Sequence, residues 1–307
     1  MKILTFNKGG IRVGVLTERG ILDLPKAYTI LYETETAPTF LYDLKELISL
    51  GKPVKEIVNE IVRKERDLPE EAFHSPASIK WEPPVKDPEK IILPAVNYKA
   101  HGAEAKLTPP PSKPYLFLKT ANSLIGHEEP IIKPRISSKV DWEVELAVII
   151  GKKGKYIEER KAKDYIFGYT ILNDISIRDW QFPEGWPEKL NQYGQNWFWG
   201  KAMDTAAPVG PFIVTKDEIE DPHKLRLMLK VNGEVQQDDN TENLIFNVYQ
   251  LIMWASMGVT LKPGDYISTG TPQGVGFPRG KFLKENDVVE SIIERIGTLR
   301  NKVIQEK

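Results

Sequence analysis

The sequence predicts a β-rich α+β protein with a small N-terminal domain and a larger main body. Its 307 residues, 41% hydrophobic and 28% charged, are enough to bury a sizeable core in one large and one smaller domain. Short segments rich in β-branched residues dominate the chain after Ile91. These segments do not alternate regularly with helices, as the strands of a doubly wound parallel sheet would. The main body is therefore expected to consist mostly of strands.

The N-terminal domain, residues 1–80, is expected to combine strands and helices. Residues 2–24 read as short strands separated by glycine-containing turns. A helical region follows, which Gly51 and Pro53 divide into two helices. The stretch from Leu68 to Lys90 is rich in proline and polar residues and predicts a connection to the main body, which we place at residues 81–307. The apolar residues at helical spacing are Val54, Ile57, Val58, Ile61 and Val62.

The main body reads as a series of strands with one clear helix. Asn232-Gly233 predicts a two-residue hairpin turn between two of these strands. The helix is expected from about Leu244 to Met257, ended by Gly258. The strand patterns are "IILPAVNY", "WEVELAVII", "FGYTILNDI", "RLMLKVNGEVQQ", "DYISTG" and "VVESIIERIGTL".

Composition excludes several classes of function. The formal net charge is −1, from 42 basic and 43 acidic residues, so no nucleic-acid or membrane surface is expected. The absence of cysteine excludes disulfides, thiolate zinc sites and cysteine nucleophiles. No apolar stretch approaches the roughly 20 residues of a membrane span, and the N-terminus does not resemble a signal peptide. We expect a cytoplasmic protein with a small-molecule or protein partner.

An acidic stripe marks the segment "KVDWEVELAVII", residues 139–150. In a strand, Asp141, Glu143 and Glu145 share one face and repel one another. An isolated pair of such acids is more often an ordinary exposed face than a metal site. Asp174, however, lies in a second apolar segment, "GYTILNDISIRDWQ". Oxygen ligands from two strands suit a hard divalent cation, which would offset the repulsion. The pattern predicts a three-carboxylate metal site.

One of the four histidines is paired with an acid at helical spacing. His101 and Glu104 in "NYKAHGAEA" are neighbours on a helical turn, and a carboxylate beside an imidazole raises its basicity, as a general base requires. The alternative is a surface ion pair. The other histidines, in loop-like segments, are interpreted as structural or exposed: His74, His127 and His223.

Two further segments carry groups that can bind an anion. The glycine-rich "YISTGTPQGVGF" presents Thr269, Thr271 and backbone amides to a carboxylate or phosphate, or is simply a tight loop. Lys201 follows two tryptophans in "NWFWGKAMDT". In an apolar setting it has a lowered pKa or acts as a fixed cation, and the commoner alternative is a solvated lysine that extends past the tryptophans.

Eight segments, in this order, resemble the fumarylacetoacetate hydrolase superfamily over the region from about Ile91 to Asn301. The N-terminal part is similar to the small β-rich domain that often precedes it. The resemblance implies a mixed β-sandwich roll, usually a homodimer, that binds Mg²⁺, Mn²⁺ or Ca²⁺. The segments are "NYKAHGAE", "PYLFLKTANSLIGHEEPI", "VDWEVELAVIIGK", "FGYTILNDISIRDWQ", "GKAMDTAAPVGP", "LKVNGEVQQ", "STGTPQGVG" and "LKENDVVE" with "IGTLRN".

The resemblance also implies roles for individual residues. Glu143, Glu145 and Asp174 correspond to the metal ligands, and Asp141 is not counted among them. His101 and Glu104 correspond to a catalytic pair on a segment that forms a mobile lid in relatives, and Lys201 to a further catalytic residue. The substrate-binding positions are Arg178, Gln181, Gly270 and Thr271.

Family members cleave or rearrange small 2-oxo acids. The first expectation is a metal-dependent hydrolase that cleaves a C–C bond of an acylpyruvate, with the His-Glu pair activating water. The alternatives are a decarboxylase, an isomerase or a dehydratase of a related 2-oxo acid, and a metal-stabilised protein without catalysis. The segment between Gln181 and Lys201 contains two prolines and several aromatic residues and is expected to shape the pocket, so the substrate is not identified by the sequence.

Overall fold

The computed structural model describes residues 1–104, 111–182 and 194–307. Within these ranges the strands form one sheet of twelve strands, one of five and one of two. The strands are β1 Lys2–Asn7, β2 Ile11–Thr17, β3 Gly20–Asp23, β4 Phe73–His74, β5 Lys80–Trp81, β6 Ile91–Pro94, β7 Leu116–Lys119, β8 Leu124–Ile125, β9 Ile131–Lys133, β10 Val140–Asp141, β11 Val144–Ile150, β12 Ile166–Asn173, β13 Ser176–Ile177, β14 Ala207–Thr215, β15 Arg226–Val231, β16 Glu234–Asn240, β17 Tyr266–Ser268, β18 Val288–Ile293 and β19 Gly297–Gln305.

The helices are short and lie between the strands. The α-helices in the described ranges are α1 Leu24–Leu31, α2 Leu44–Leu50, α3 Lys52–Arg63, α4 Lys99–Glu104, α5 Arg178–Gln181, α6 Trp197–Lys201 and α7 Val248–Ala255. Turns of 3₁₀ helix are Thr39–Leu41, Glu65–Asp67, Glu70–Ala72, Pro76–Ser78, Ala121–Ser123, Glu159–Tyr165, Lys216–Glu218, Thr241–Asn243 and Phe277–Arg279. Among the described residues, no helix is both long enough and apolar enough to cross a membrane.

The N-terminal strands extend the large sheet of the main body. Strand β1 pairs antiparallel with β14, placing Lys2 opposite Val214. The region predicted as a connection contains β4 and β5, which pair with β3 and β1. Gly51, with φ of 70°, separates α2 from α3 as expected, whereas Pro53 lies in the first turn of α3, where its missing N–H costs no hydrogen bond. The division at residue 80 stays a prediction.

The centre of the large sheet is buried on both faces. Every residue of β11 is buried between β12 and β17. Val144, Leu146 and Val148 belong to one apolar cluster, while Ala147 and Ile149 belong to the cluster on the opposite side. Full burial of an aliphatic side chain contributes about 1.5–3 kcal/mol to the stability of the folded protein. Polar side chains at the start of β11 are therefore held in a rigid, water-poor setting.

The acidic segment is not one continuous strand, and that prediction was wrong. Strand β10 ends at Asp141 and pairs with β13, and β11 begins only at Val144. At the break, two backbone N–H groups donate to side chains of other strands instead of to a neighbouring backbone. Glu143 N donates to Asn173 Oδ1 at 2.9 Å, and Val144 N donates to Gln237 Oε1 at 3.0 Å. The break separates the Asp141 side chain from those of Glu143 and Glu145.

Two local predictions compare directly with the structure. The hairpin of β15 and β16 turns at Asn232 and Gly233, both with positive φ, as predicted. The predicted helix from Leu244 to Met257 is shorter, because Asn247 caps the N-terminus of α7 and exchanges side-chain and backbone hydrogen bonds with Gln250. The residues just before Asn247 instead form hydrogen bonds to the segment that leads into α4.

Candidate functional site

Three buried carboxyl groups converge where the central strands end. Glu143 precedes β11, Glu145 is its second residue, and Asp174 follows β12. One oxygen from each lies within 4.8 Å of the others. The structure thus brings together the three residues that the sequence predicted as ligands. An all-oxygen donor set with this spacing suits a hard divalent cation such as Mg²⁺ or Mn²⁺.

Three cationic side chains lie against the carboxylate cluster Glu143, Glu145 and Asp174. Lys201 Nζ donates to Glu143 at 2.7 Å and to Asp174 at 2.6 Å. The contacts of the three cations with the acids reduce the mutual repulsion of the carboxylates, which would otherwise be severe in a site of low dielectric constant. The other two cations are Arg178, which bonds to both Asp141 and Glu143, and Lys119, whose Nζ lies 2.7 Å from Asp174 Oδ1.

Asp141 is turned away from the cluster. Its carboxylate accepts from the backbone N–H groups of Gly276 and Phe277 at 2.6 and 3.0 Å and from Arg178 Nε at 2.9 Å. Burial raises the pKa of Asp141, although Arg178 opposes that shift. Its role in the structure is to fix Arg178 and the loop that carries Phe277.

The pKa values of the two glutamates are shifted in opposite directions. Burial raises the pKa of Glu145 well above its usual range, and the charges of Asp174 and Glu143 add to the effect. Burial acts in the same sense on Glu143, but Arg178 and Lys201 outweigh it and lower the pKa of Glu143. Of the two glutamates, Glu145 is therefore the one whose charge the protein itself compensates less, and a bound cation would offset that deficit.

The two lysines of the site differ from expectation. The interpretation of Lys201 as solvated, or as having a lowered pKa, was wrong: it is buried, and although burial lowers its pKa, Asp174 and Glu143 raise it further. It is a fixed cation. Lys119 was not singled out from the sequence, although it ends the apolar strand β7. Burial lowers the pKa of Lys119 to about 8, opposed by Asp174.

The predicted histidine–glutamate pair is formed in α4. His101 Nδ1 lies 3.3 Å from Glu104 Oε2, and Glu104 also accepts from Gly274 N at 3.3 Å. With Nδ1 as the donor to Glu104, Nε2 of His101 is the ring atom that can take up a proton. Both residues line the same cavity as Glu143 and Glu145. The geometry suits a general base beside the carboxylate cluster.

The glycine-rich turn after β17 holds Glu145. Ser268 Oγ donates to Glu145 Oε2, and Gly270 N donates to the same oxygen at 3.1 Å. Thr271 Oγ1 donates to Val144 O at 3.0 Å and accepts from Gln237 Nε2. Thr271 lines the cavity, as a substrate-binding residue would, and its turn also orients the glutamate.

The cavity above the cluster has a volume of about 1160 Å³ and an aromatic outer wall. The rings of Phe117 and Trp197 stack at 4.7 Å, and those of Phe182 and Phe277 at 5.2 Å. Gln181 is buried at the inner end, where its Oε1 accepts from Arg178 Nη1 at 3.0 Å. Much of the segment that we expected to shape the pocket, residues 183–193, lies outside the described residues.

A methyl group at Gly270 tests how tightly this turn is built. Gly270 has φ of 84°, and a Cβ there would lie 2.9 Å from Asn97 Cβ. Gly270→Ala is expected to lower the free energy of unfolding by about 2–4 kcal/mol through backbone strain and this contact, and to weaken Mn²⁺ binding. Gly280→Ala is the control, because its φ is 63° with nothing within 4 Å of the added carbon. If urea unfolding showed that both variants lose the same free energy of unfolding, the expectation would be contradicted.

Comparison with known proteins identifies the family. Residues 90–304 match the family model described as "Fumarylacetoacetate (FAA) hydrolase C-terminal", which spans the carboxylate cluster, α4 and the glycine-rich turn. The chain belongs to the fumarylacetoacetate hydrolase family. The match confirms the resemblance and, together with solved structures of this family, the β-rich fold class.

The names of relatives in the fumarylacetoacetate hydrolase family describe several activities. The mitochondrial oxaloacetate tautomerase FAHD2A of Bos taurus is 45% identical over 223 residues, 72% of this chain and 68% of that protein. A maleylpyruvate hydrolase from Sphingobium sp. SYK-6, in complex with manganese(II) ion and pyruvate, covers 100% of both chains with a TM-score of 0.78 and 31% identity. The likeness to a 5-carboxymethyl-2-hydroxymuconate delta-isomerase from Mycobacterium smegmatis also covers 100% of both chains, with a TM-score of 0.72 and 27% identity. The chain is an enzyme of this family with an acidic site suited to a metal.

Proposed function

We propose that the protein is a divalent-metal-dependent enzyme that enolises a 2-oxo acid. The observation that carries the proposal is that the carboxylate cluster and the His101–Glu104 pair line the same cavity. The buried oxygen donors and the uncompensated charge of Glu145 fit a divalent ion, Mg²⁺ or Mn²⁺ in first place and Ca²⁺ as an alternative. The metal ligands, the catalytic pair and the substrate contacts predicted from the sequence are retained in this proposal.

The metal, when held by Glu143, Glu145 and Asp174, would supply Lewis acidity toward the carboxylate and 2-oxo oxygens of the substrate. His101 Nε2 takes the proton from the carbon next to the 2-oxo group, and Glu104 stabilises the imidazolium that forms. Lys201 and Gln181, at the inner end of the cavity, stabilise the negative charge that develops on oxygen. Return of the proton to the oxygen completes a keto–enol conversion.

Keto–enol tautomerisation of a small 2-oxo acid such as oxaloacetate is our first candidate reaction. The 45% identity to FAHD2A over 223 residues favours it above the sequence-based expectation of a hydrolase. It needs proton transfer alone, with no water and no bond between carbons broken.

Hydrolytic cleavage of an acylpyruvate is the second candidate, favoured by the full-length likeness to maleylpyruvate hydrolase. In that reaction His101 takes a proton from water, and the resulting hydroxide attacks the far carbonyl. The C–C bond then breaks and its electron pair passes to the enolate of pyruvate, which is reprotonated.

The test follows enol loss from oxaloacetate and cleavage of acetylpyruvate, with Mn²⁺ and with a chelator. His101→Gln is expected to lower kcat by about 10²–10⁴-fold for the accepted substrate without changing Mn²⁺ affinity, since the imidazole is not among the oxygen ligands. His127→Gln is the control, because His127 packs against Trp81 outside the cavity. Turnover that survives the chelator, or a His101→Gln enzyme as active as the control, would contradict the proposal.

Two expectations from the sequence accompany this proposal. We retain a homodimer, which sedimentation would test, and a cytoplasmic location, which fractionation of the source cells would test. A monomer with full activity would contradict the expected homodimer without affecting the proposed reaction.

A further inference from the structure

Asn97 lies between the two halves of the site, which are the carboxylate cluster with the turn that holds Glu145 and the helix that carries the His101–Glu104 pair. It belongs to neither half. It follows β6 by three residues and precedes α4 by two. Its side chain is completely buried. It does not line the cavity, so it acts on the reaction only through other residues.

The side chain of Asn97 bonds to two separate segments of backbone. Its Nδ2 donates to Thr269 O at 2.8 Å and to Phe246 O at 2.9 Å, and its Oδ1 accepts from Phe246 N at 2.7 Å. The backbone carbonyl of Asn97 also accepts from Ile245 N at 2.7 Å. A buried amide with these partners fixes the relative position of both segments, because each bond left unmade there would cost about 1–3 kcal/mol.

One of these bonds reaches the carboxylate cluster. Thr269 stands between Ser268 and Gly270, the two residues that donate to Glu145 Oε2. Gly270 also approaches Asn97 so closely that a Cβ there would lie 2.9 Å from Asn97 Cβ. Displacement of Asn97 therefore moves the turn that orients Glu145.

The chain after Asn97 reaches the catalytic pair. Tyr98 is buried, and its carbonyl accepts from Gly102 N at 2.9 Å within the first turn of α4. His101 and Glu104 follow on the same helix. The start of this short helix is thus anchored by Asn97 and Tyr98, while its end is held by the bond from Gly274 to Glu104.

We propose that Asn97 is a positioning residue that holds the His101–Glu104 helix and the Glu145 turn at a fixed separation. The catalytic part of this inference rests on the proposed function. A shift of about 1 Å between a general base and a bound substrate costs up to about 10²-fold in rate, and loss of outer hydrogen bonds to metal ligands costs about 10–100-fold in affinity.

Asn301 provides a matched control. It is equally buried, and its Nδ2 also donates to two backbone carbonyls, those of Gly126 and Glu129, each at 2.8 Å. It lies on β19, away from the cavity. Asn301→Ala removes the same kind of bonds without touching either half of the site.

The experiment compares Asn97→Ala, Asn97→Asp and Asn301→Ala with the unmodified protein. Three quantities are measured: Mn²⁺ affinity by calorimetry, amide hydrogen exchange of residues 95–104 and 266–276 without metal, and kcat on the accepted 2-oxo acid. Asn97→Ala is expected to bind Mn²⁺ about tenfold more weakly, to exchange faster in both segments and to lose about tenfold or more in kcat. Asn97→Asp keeps the size of the side chain but replaces the Nδ2 donor, so the same losses are expected.

Asn301→Ala is expected to lose stability without any of these three changes. If the Asn97 variants match Asn301→Ala in Mn²⁺ affinity, in segment exchange and in kcat, Asn97 is merely structural and the proposal is wrong. If the unmodified protein binds no Mn²⁺, the metal site of the proposed function is wrong. Hydrogen exchange of the two segments then decides the role of Asn97 by itself.

Discussion

The Glu145→Gln protein is expected to bind Mn²⁺ about 100-fold more weakly and to lose turnover, yet to fold as stably as the unmodified protein without metal. The amide oxygen can still accept from Ser268 and Gly270, so the turn keeps its bonds. Burial together with Asp174 and Glu143 raises the pKa of Glu145, which means that the fold resists its negative charge. A neutral amide removes that repulsion and also removes the charge that attracts the cation.

Calorimetric Mn²⁺ titration, urea unfolding and the turnover assay measure these effects. Glu82→Gln is the control, because Glu82 is also buried but pairs with Lys80 and Lys86, and none of the three lines the cavity. A Glu145→Gln protein that unfolds several kcal/mol more easily would show that Glu145 serves the fold. Unchanged Mn²⁺ affinity would exclude it as a ligand.

The Lys201→Met protein is expected to lose about 3–5 kcal/mol in free energy of unfolding without metal. Its ammonium bonds to both Glu143 and Asp174, and loss of one partner leaves buried acids poorly compensated. Mn²⁺ at 100 times its Kd stabilises a protein by about 2.7 kcal/mol. The stabilisation should be larger for the variant than for the unmodified protein at equal Mn²⁺ concentration, because the ammonium no longer competes for the same oxygens. Turnover should fall by about 10²–10³-fold.

Lys90→Met is the matched control for this substitution. Lys90 pairs with the buried Asp265 at 3.0 Å outside the site, so its loss should also destabilise the protein. Mn²⁺ should stabilise that variant no more than the unmodified protein. Equal effects of Mn²⁺ on the two lysine variants in urea unfolding would separate Lys201 from the metal site.

The sequence predicted the composition of the site better than its interactions. Alternation along 139–150 and the apolar context of Asp174 suggested a metal site, the family resemblance selected Glu143, Glu145 and Asp174 as its ligands, and spacing alone paired His101 with Glu104. The break before β11 was not predictable, because it depends on Asn173 and Gln237, whose side chains reach in from other strands. Pattern along one strand carries no information about such bonds.

The cations were the least predictable part. Lys119 and Lys201 sit among apolar residues in the sequence, and whether such a lysine is solvated or buried depends on acids that are distant along the chain. Lys201 meets Asp174 across 27 positions and Lys119 meets it across 55. Helix α7 shows the same limit. The apolar run from Leu244 favours a helix, but the residues just before Asn247 form hydrogen bonds to Asn97 instead, and these bonds could not be predicted from the local sequence.

The arrangement of buried acids and cations also has a kinetic consequence. When Glu145 is ionised, four carboxylates lie against the charges of Lys119, Arg178 and Lys201, and the carboxylate of Glu104 also lines the cavity, so the described part of the site carries an excess of negative charge. On the proposed function, an organic anion that arrives before the metal would meet this excess and be repelled, whereas a bound divalent ion would offset it. If the proposed function is correct, we therefore expect the metal to bind before the substrate. The four carboxylates are those of Asp141, Glu143, Glu145 and Asp174.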